Sequence, residues 1–118
     1  MILSDLSLNK DIILSKGWQK RDFIHVDDAT SAIVFVMKKF DQLKKYNQII
    51  VGSGDYIYIR EIVKKLKVIS RSRSELKFGK RKTRHTKIIQ RGRVPKLQNI
   101  SNWSPKIKLE NGLSDYEY

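Results

Sequence analysis

The chain contains no cysteine and only two histidines, His25 and His85. Without thiols it can form no disulfide, no thiolate zinc site and no cysteine nucleophile. The histidines have no carboxylate or cysteine at metal-ligand spacing, so the sequence predicts no metal site. The longest apolar run, Ala32 to Met37, is far too short to span a membrane, and the first residues lack the basic and apolar regions of a signal peptide. We therefore expect a soluble, cytoplasmic protein.

Acidic residues are scarce in one part of the chain, and the charge is correspondingly uneven. The 118 residues carry a net charge of +13, and 40% of them are apolar, which is enough for one domain with a modest core. Residues 71–96 contain 11 lysines and arginines against one acid, Glu75. Such a block indicates either a solvated loop or a salt-dependent nucleic-acid surface. Phe78 is its single aromatic residue, so the sequence gives little support for base stacking there.

Hydrophobic periodicity predicts short strands and helices in alternation. A strand near 21–26 leads into the longest predicted helix, 28–45. Asp27 stands at the expected N-cap, since a short carboxylate accepts the free N–H groups of a first turn. The expected buried face of this helix consists of Ala29, Ala32, Ile33, Val36, Phe40 and Leu43. The other predicted elements are the end of a helix over 4–10, strands over 11–15 and 47–51, a helix over 59–67, a strand and loop over 71–93, and a terminal helical turn over 110–116.

The stretch from Gln19 to Asp28 resembles the RDF-(I/V)-(H/Y)-VDD signature of nucleotide-sugar epimerases and dehydratases in the extended short-chain dehydrogenase/reductase family. Residues 50–66 are similar to the family's N-I-G-S-G strand, turn and helix, and residues 102–113 to its closing W-x-P segment. Residues 75–79 with Arg84 resemble the branch of the CDP-abequose and CDP-paratose synthases and their 4,6-dehydratase relatives. The four matches occur in the family's order.

The resemblance implies a fold of the α/β class. We expect residues 1–118 to form a single, truncated lobe, the small mixed α+β substrate-binding lobe of an extended short-chain dehydrogenase, without the Rossmann cofactor-binding domain. Residues 71–96 are expected to be a basic, poorly ordered loop within it.

Two motifs that the family's chemistry requires are missing. There is no Gly-rich turn after a first strand to hold a dinucleotide pyrophosphate. No tyrosine is followed four residues later by lysine; Tyr56 is followed by Arg60, which cannot replace a lysine that tunes a tyrosine. We therefore expect no catalytic residue, no cofactor on this chain, although NAD or NADP serves the full-length family, and no activity of the chain alone.

The resemblance also suggests substrate-binding arginines. Arg21 occupies the position of the family's nucleotide-diphosphate ligand, a role that suits a guanidinium because its planar fork meets two phosphate oxygens. Either Arg84 or Arg91 supplies a second ligand, depending on which family pattern aligns, and Lys87 stands where one pattern has glutamate. Asp27 and Asp28 are interpreted as a helix cap rather than a catalytic pair. Trp103 is interpreted as a hydrophobic anchor.

Three hypotheses for function remain. The leading one is a substrate lobe that binds a nucleotide-diphosphate sugar or pairs with a separate cofactor-domain chain. The second is a basic nucleic-acid-binding module on the same scaffold, and the third is a relic without a ligand. Convergence of Arg21 and Arg84 on one cleft would favour the first, whereas an open positive face over 71–96 would favour the second.

Overall fold

The computed structural model describes residues 2–42, 47–82 and 94–115. These residues divide into two compact units. The first contains 2–21, 56–82 and 110–115, and the second contains 22–42, 47–55 and 94–109. Each unit is therefore assembled from segments that are far apart in the sequence. This division does not test the expectation of one lobe over 1–118, which stays a prediction.

Helices and strands alternate along the described chain, as expected for the α/β class. In order they are α1 (Ile2–Ser7), β1 (Ile12–Leu14), β2 (Lys20–Asp22), α2 (Val26–Lys38), a 3₁₀ turn (Phe40–Gln42), β3 (Tyr56–Tyr58), α3 (Ile59–Ile69), β4 (Leu76–Phe78), α4 (Leu97–Ile100) and α5 (Leu109–Ser114). None of the helices in these described ranges is long and apolar enough to cross a membrane.

The first unit is built on a parallel pair of short strands. β1 pairs with β4 so that Ile12 lies opposite Leu76 and Leu14 opposite Phe78, while β2 pairs with β3. Helix α3 buries one face because its apolar residues recur at three- and four-residue spacing. The buried hydrophobic side chains among the described residues of this unit are Leu6, Ile12, Ile62, Val63 and Leu66.

The N-terminus of α3 shows how the chain compensates for an unusual cap. Tyr58 stands at the N-cap, where a serine or threonine is typical, and the Glu61 side chain accepts the Tyr58 backbone N–H at 3.4 Å. The reciprocal half of a capping box thus stabilises this end of the helix.

The second unit has its core around α2. Ala32, Leu97 and Trp103 are buried together, and five partly buried residues pack against them: Ile24, Phe35, Val36, Ile49 and Val51. The expectation that Trp103 is a hydrophobic anchor is confirmed. Near it, an isolated parallel bridge joins Ile50 to Lys96, so the expected strand over 47–51 is reduced to this bridge.

Several sequence-based boundaries are wrong around the signature. The strand ends at Asp22 rather than 26, and α2 begins at Val26 and ends at Lys38 rather than extending to 45. The buried face is also rotated, because Asp28 and Phe35 face inward while Ile33 and Phe40 are 60% and 72% exposed. Apolar periodicity alone could not anticipate that a carboxylate would occupy the inner face. Leu43 lies outside the described residues.

A small ion cluster joins β1 to β4 in the first unit. Lys77 Nζ lies 2.8 Å from Asp11 Oδ2 and 3.4 Å from Glu75 Oε2, and Asp11 Oδ1 accepts the Glu75 backbone N–H at 3.2 Å. The hydrogen bond from Lys77, supported by the Glu75 N–H, lowers the pKa of Asp11 below 3.8. The same hydrogen bond and the charge of Asp11 raise the pKa of Lys77 above 10.5.

This cluster predicts the direction in which the Asp11 titration is shifted. A lowered carboxyl pKa contributes stability above the unfolded value of Asp11, and this contribution is lost as the pH falls through the folded value. We expect an NMR titration of Asp11 to give a midpoint below 3.8, and Lys77→Met to raise it. Lys64→Met removes a similar charge elsewhere in the unit and serves as the control. An Asp11 midpoint that Lys77→Met leaves unchanged would contradict the assignment.

Candidate functional site

Asp22 clamps a glycine-containing turn in the second unit. Its Oδ1 accepts hydrogen bonds from the Ser53 backbone N–H at 2.8 Å and the Ser53 hydroxyl at 2.5 Å, and its Oδ2 accepts the Gly54 N–H at 3.1 Å. A Cβ at Gly52 would lie 2.5 Å from Asp22 Oδ2, so a larger residue there would displace the carboxylate that holds the turn. These bonds anchor the backbone directly after Arg21.

Arg21 is half-buried on β2, in the first unit. Its Nη1 donates to the carbonyl oxygen of Lys20 at 2.8 Å. Across the part of the chain that the structure describes, no carboxylate forms an ion pair with this guanidinium. Four of its five N–H donors are therefore not engaged by any described side chain or backbone oxygen. The other two predicted ligands, Arg84 and Arg91, lie outside the described residues, as does Lys87.

His25, not Asp27, is the N-cap of α2. Its backbone is extended, with φ −67° and ψ 147°, and its Nδ1 accepts the Asp27 backbone N–H at 3.2 Å. The predicted Asp27 cap is wrong because the helix begins two residues earlier. The Asp27 side chain instead lies in the first turn, 76% exposed, where its charge complements the helix dipole.

Asp28 is a buried structural carboxylate. It is 4% exposed, and its Oδ1 and Oδ2 accept the backbone N–H groups of Lys106 at 3.0 Å and Ile107 at 2.9 Å. Nearby, Trp103 Nε1 donates to Ser31 Oγ at 3.0 Å. Because both oxygens of Asp28 are committed to the backbone, the geometry offers no acid–base role to an Asp27–Asp28 pair. The sequence showed the two carboxylates but not the segment that one of them binds.

An open groove of about 780 Å³ lies beside these contacts in the second unit. Phe35 and Trp103 form apolar walls, and Lys38 and Lys106 add positive charge. Arg21 does not line this groove. Over 2–42, 47–82 and 94–115, no group of three His, Asp or Glu side chains is placed to hold a metal ion.

The fold and the sequence both match known proteins. The model of the NAD-dependent epimerase/dehydratase family matches residues 2–52. A CDP-abequose synthase from Salmonella muenchen is 27% identical over 112 residues, which cover 95% of this chain and 38% of that protein. A GDP-L-fucose synthase from Arabidopsis thaliana is 30% identical over 105 residues, which cover 87% of this chain and 30% of that protein.

A solved structure extends the comparison to the fold. The GDP-mannoheptose C4 reductase from Campylobacter jejuni, with NADP bound, superposes with a TM-score of 0.71 at 22% identity, covering 96% of this chain and 41% of that one. The chain thus has part of the fold of nucleotide-sugar enzymes of the extended short-chain dehydrogenase class. Residues 2–52 match the NAD-dependent epimerase/dehydratase family, as the sequence predicted, and the chain spans about a third of the length of the curated relatives it matches.

Alanine substitution of the two adjacent carboxylates is expected to lower the free energy of unfolding by different amounts. Asp28→Ala removes the charged acceptor of the Lys106 and Ile107 backbone N–H groups, so we expect it to lower the free energy of unfolding by about 3 kcal/mol. Asp27→Ala removes an exposed charge from the first turn and should cost at most about 1 kcal/mol. Urea titration of both variants measures the difference, with Asp41→Ala as a matched carboxylate control. Equal losses, or a larger loss for Asp27→Ala, would show that Asp28 does not anchor residues 106–107.

Proposed function

We propose that the chain is a substrate lobe that binds a nucleotide-diphosphate sugar weakly and catalyses no reaction by itself. The observation that carries the proposal is the uncommitted guanidinium of Arg21, at the position where the family signature has its diphosphate ligand. The names of the relatives, a CDP-abequose synthase and a GDP-L-fucose synthase, support a CDP- or GDP-linked sugar as the ligand class.

A guanidinium on a strand is suited to this task. Its donors form a rigid fork that meets two phosphate oxygens at once, which a lysine ammonium cannot do. Pairing of β2 with β3 fixes the backbone at Arg21 on one side, and the Asp22 clamp fixes it on the other. Little ordering of the backbone would accompany ligand binding, which favours affinity.

The absence of activity follows from the motifs that the sequence lacks. Hydride transfer in this family needs a bound dinucleotide and a tyrosine activated by lysine. Of the two tyrosines on β3, Tyr58 serves as the N-cap of α3, and neither has a lysine four residues on. A partner chain that supplies the cofactor domain would complete the site, and we propose such a chain as the physiological partner.

We expect no turnover from the purified chain. Incubation with NAD(P)H or NAD(P)⁺ and CDP-, GDP- or dTDP-linked hexoses should leave the absorbance at the nicotinamide band and the sugar unchanged. The matched control is a full-length family enzyme under the same conditions. Conversion that survives repurification and follows the protein peak would overturn the assignment.

Binding should depend on the shape of the Arg21 side chain as well as its charge. Without a second lobe to close over the ligand we expect a Kd of roughly 1 mM for the nucleotide sugar, about 4 kcal/mol of binding free energy. Arg21→Ala should abolish the NMR shift perturbations, and Arg21→Lys should restore little, because a point charge does not replace a bidentate fork. Arg73→Ala removes an exposed arginine of the same unit and should change nothing. Full binding by Arg21→Ala would exclude the proposed site.

A further inference from the structure

An aromatic and cationic cluster in the first unit is not used by the proposed function. The Arg60 guanidinium lies between two rings, with its Cζ 4.0 Å from the ring centroid of Trp18 and 5.0 Å from that of Phe78. Trp18 meets Tyr58 edge to face at 5.8 Å, and Lys20 Nζ lies 4.7 Å from the Tyr58 centroid. Five residues from three separate stretches of sequence thus form one continuous cluster.

The backbone holds this cluster in place. Gly17, with φ +70°, accepts the Arg60 N–H at 3.2 Å, and the Ile59 N–H donates to the Gln19 carbonyl at 3.0 Å. A Cβ at Gly17 would lie 2.9 Å from the Arg60 Cβ, so the loop packs closely against the start of α3. The indole of Trp18 is therefore fixed by the turn before it and by the stacked guanidinium.

The cluster is nevertheless open to solvent. Trp18 is 58% exposed, which is unusual for the largest apolar side chain when its neighbours are ordered. Lys20 is exposed and Arg60 half-buried. Among the described residues neither cation forms an ion pair with a carboxylate. An exposed indole beside unpaired cations marks an interaction surface rather than part of a core.

Charge is concentrated in the unit that carries this cluster. Its described residues include 14 lysines and arginines against 6 acids, whereas those of the second unit include 5 of each. The excess attracts polyanions and raises their association rate. A run of acidic side chains would satisfy the cations but offers no aromatic ring to stack on the indole. Single-stranded nucleic acid offers both phosphates and accessible base faces, whereas a duplex hides its bases in the stack.

We propose that Trp18, Tyr58, Arg60 and Lys20 form a docking surface for single-stranded nucleic acid. A base stacks on the exposed indole, and the edges of the Arg60 guanidinium and the Lys20 ammonium bind the flanking phosphates. The stacking interaction is insensitive to sequence because every base has a π-face. The four side chains of this surface do not include Arg21. Loss of nucleic-acid binding would therefore not contradict nucleotide-sugar binding, and the reverse also holds.

The chain itself supplies a reporter for the test. It has two tryptophans, and Trp103 is 7% exposed in the core of the second unit. Quenching of the emission on titration with oligo(dT)15 therefore reports on Trp18. The first comparison uses the unmodified chain with oligo(dT)15, an abasic 15-mer of the same backbone, and poly-glutamate. We expect the base-containing strand to bind at least about tenfold more tightly than the abasic one.

Variants then assign the residues. Trp18→Ala should weaken binding of labelled oligo(dT)15 about tenfold and Trp18→Phe by less, since phenylalanine retains a stacking surface. Lys20→Gln should lower the slope of log Kd against log salt by about one. Arg73→Ala is the matched control for Arg60→Gln, because Arg73 is exposed in the same unit and takes part in none of the cation–ring contacts among the described residues. Circular dichroism of each variant verifies that the unit is folded.

Any one of the following results would overturn the proposal. Equal affinity of the unmodified chain for the abasic strand or for poly-glutamate would show a generic polyanion surface. Unchanged affinity of a folded Trp18→Ala variant would place the nucleic acid elsewhere, as would an equal loss for Arg73→Ala and Arg60→Gln. Absence of binding at low salt would exclude the surface altogether.

Discussion

The second unit depends on a single buried carboxylate. Asp28 joins the first turn of α2 to residues 106 and 107, and it thereby positions Trp103 over Ala32 and Leu97. A buried carboxylate is costly unless its oxygens are satisfied, and here two backbone N–H groups satisfy them. Ser31 Oγ adds a further link to the same segment by accepting the indole N–H of Trp103. In this chain the second aspartate of the signature is thus a structural hydrogen-bond acceptor.

Much of the fold could be predicted from local pattern. The spacing of Ile59, Ile62, Val63 and Leu66 identified α3, and the apolar triplet 12–14 identified β1. The start of α2 could not be predicted, because His25 is an uncommon cap and Asp27 is a common one. The prediction of the buried face of α2 was wrong for a different reason. Periodicity favours burial of Ile33 over Asp28, but Asp28 is buried because it accepts the backbone N–H groups of residues 106 and 107, almost 80 residues away.

The candidate sites show the same limit. Arg21 could be proposed from the sequence because the signature surrounds it. The second predicted phosphate-binding arginine, Arg84 or Arg91, lies outside the described residues. The aromatic cluster has no signal in the basic block 71–96, because Phe78 is the single aromatic residue of that block. Pairing of β1 with β4 brings Phe78 near Trp18 and Arg60, which are distant in sequence. A property that depends on parallel pairing of remote strands has no local signal.

The segmental construction of the second unit also governs the order in which it can form. Helix α2 is complete by residue 38, but Leu97 and Trp103, which cover Ala32, follow some 60 to 70 residues later. Loop closure over such a distance is slow. In addition, a chain emerging from the ribosome exposes α2 well before Leu97 and Trp103 have been synthesised. Until those residues are synthesised, the inner face of α2 is exposed to solvent. The outer face of the helix is also apolar at Ile33 and Met37, which remain 60% and 67% exposed in the folded unit. Residues 32–37 of the nascent helix are therefore apolar on every side until the later segments arrive, and such exposed apolar segments are the kind that chaperones bind.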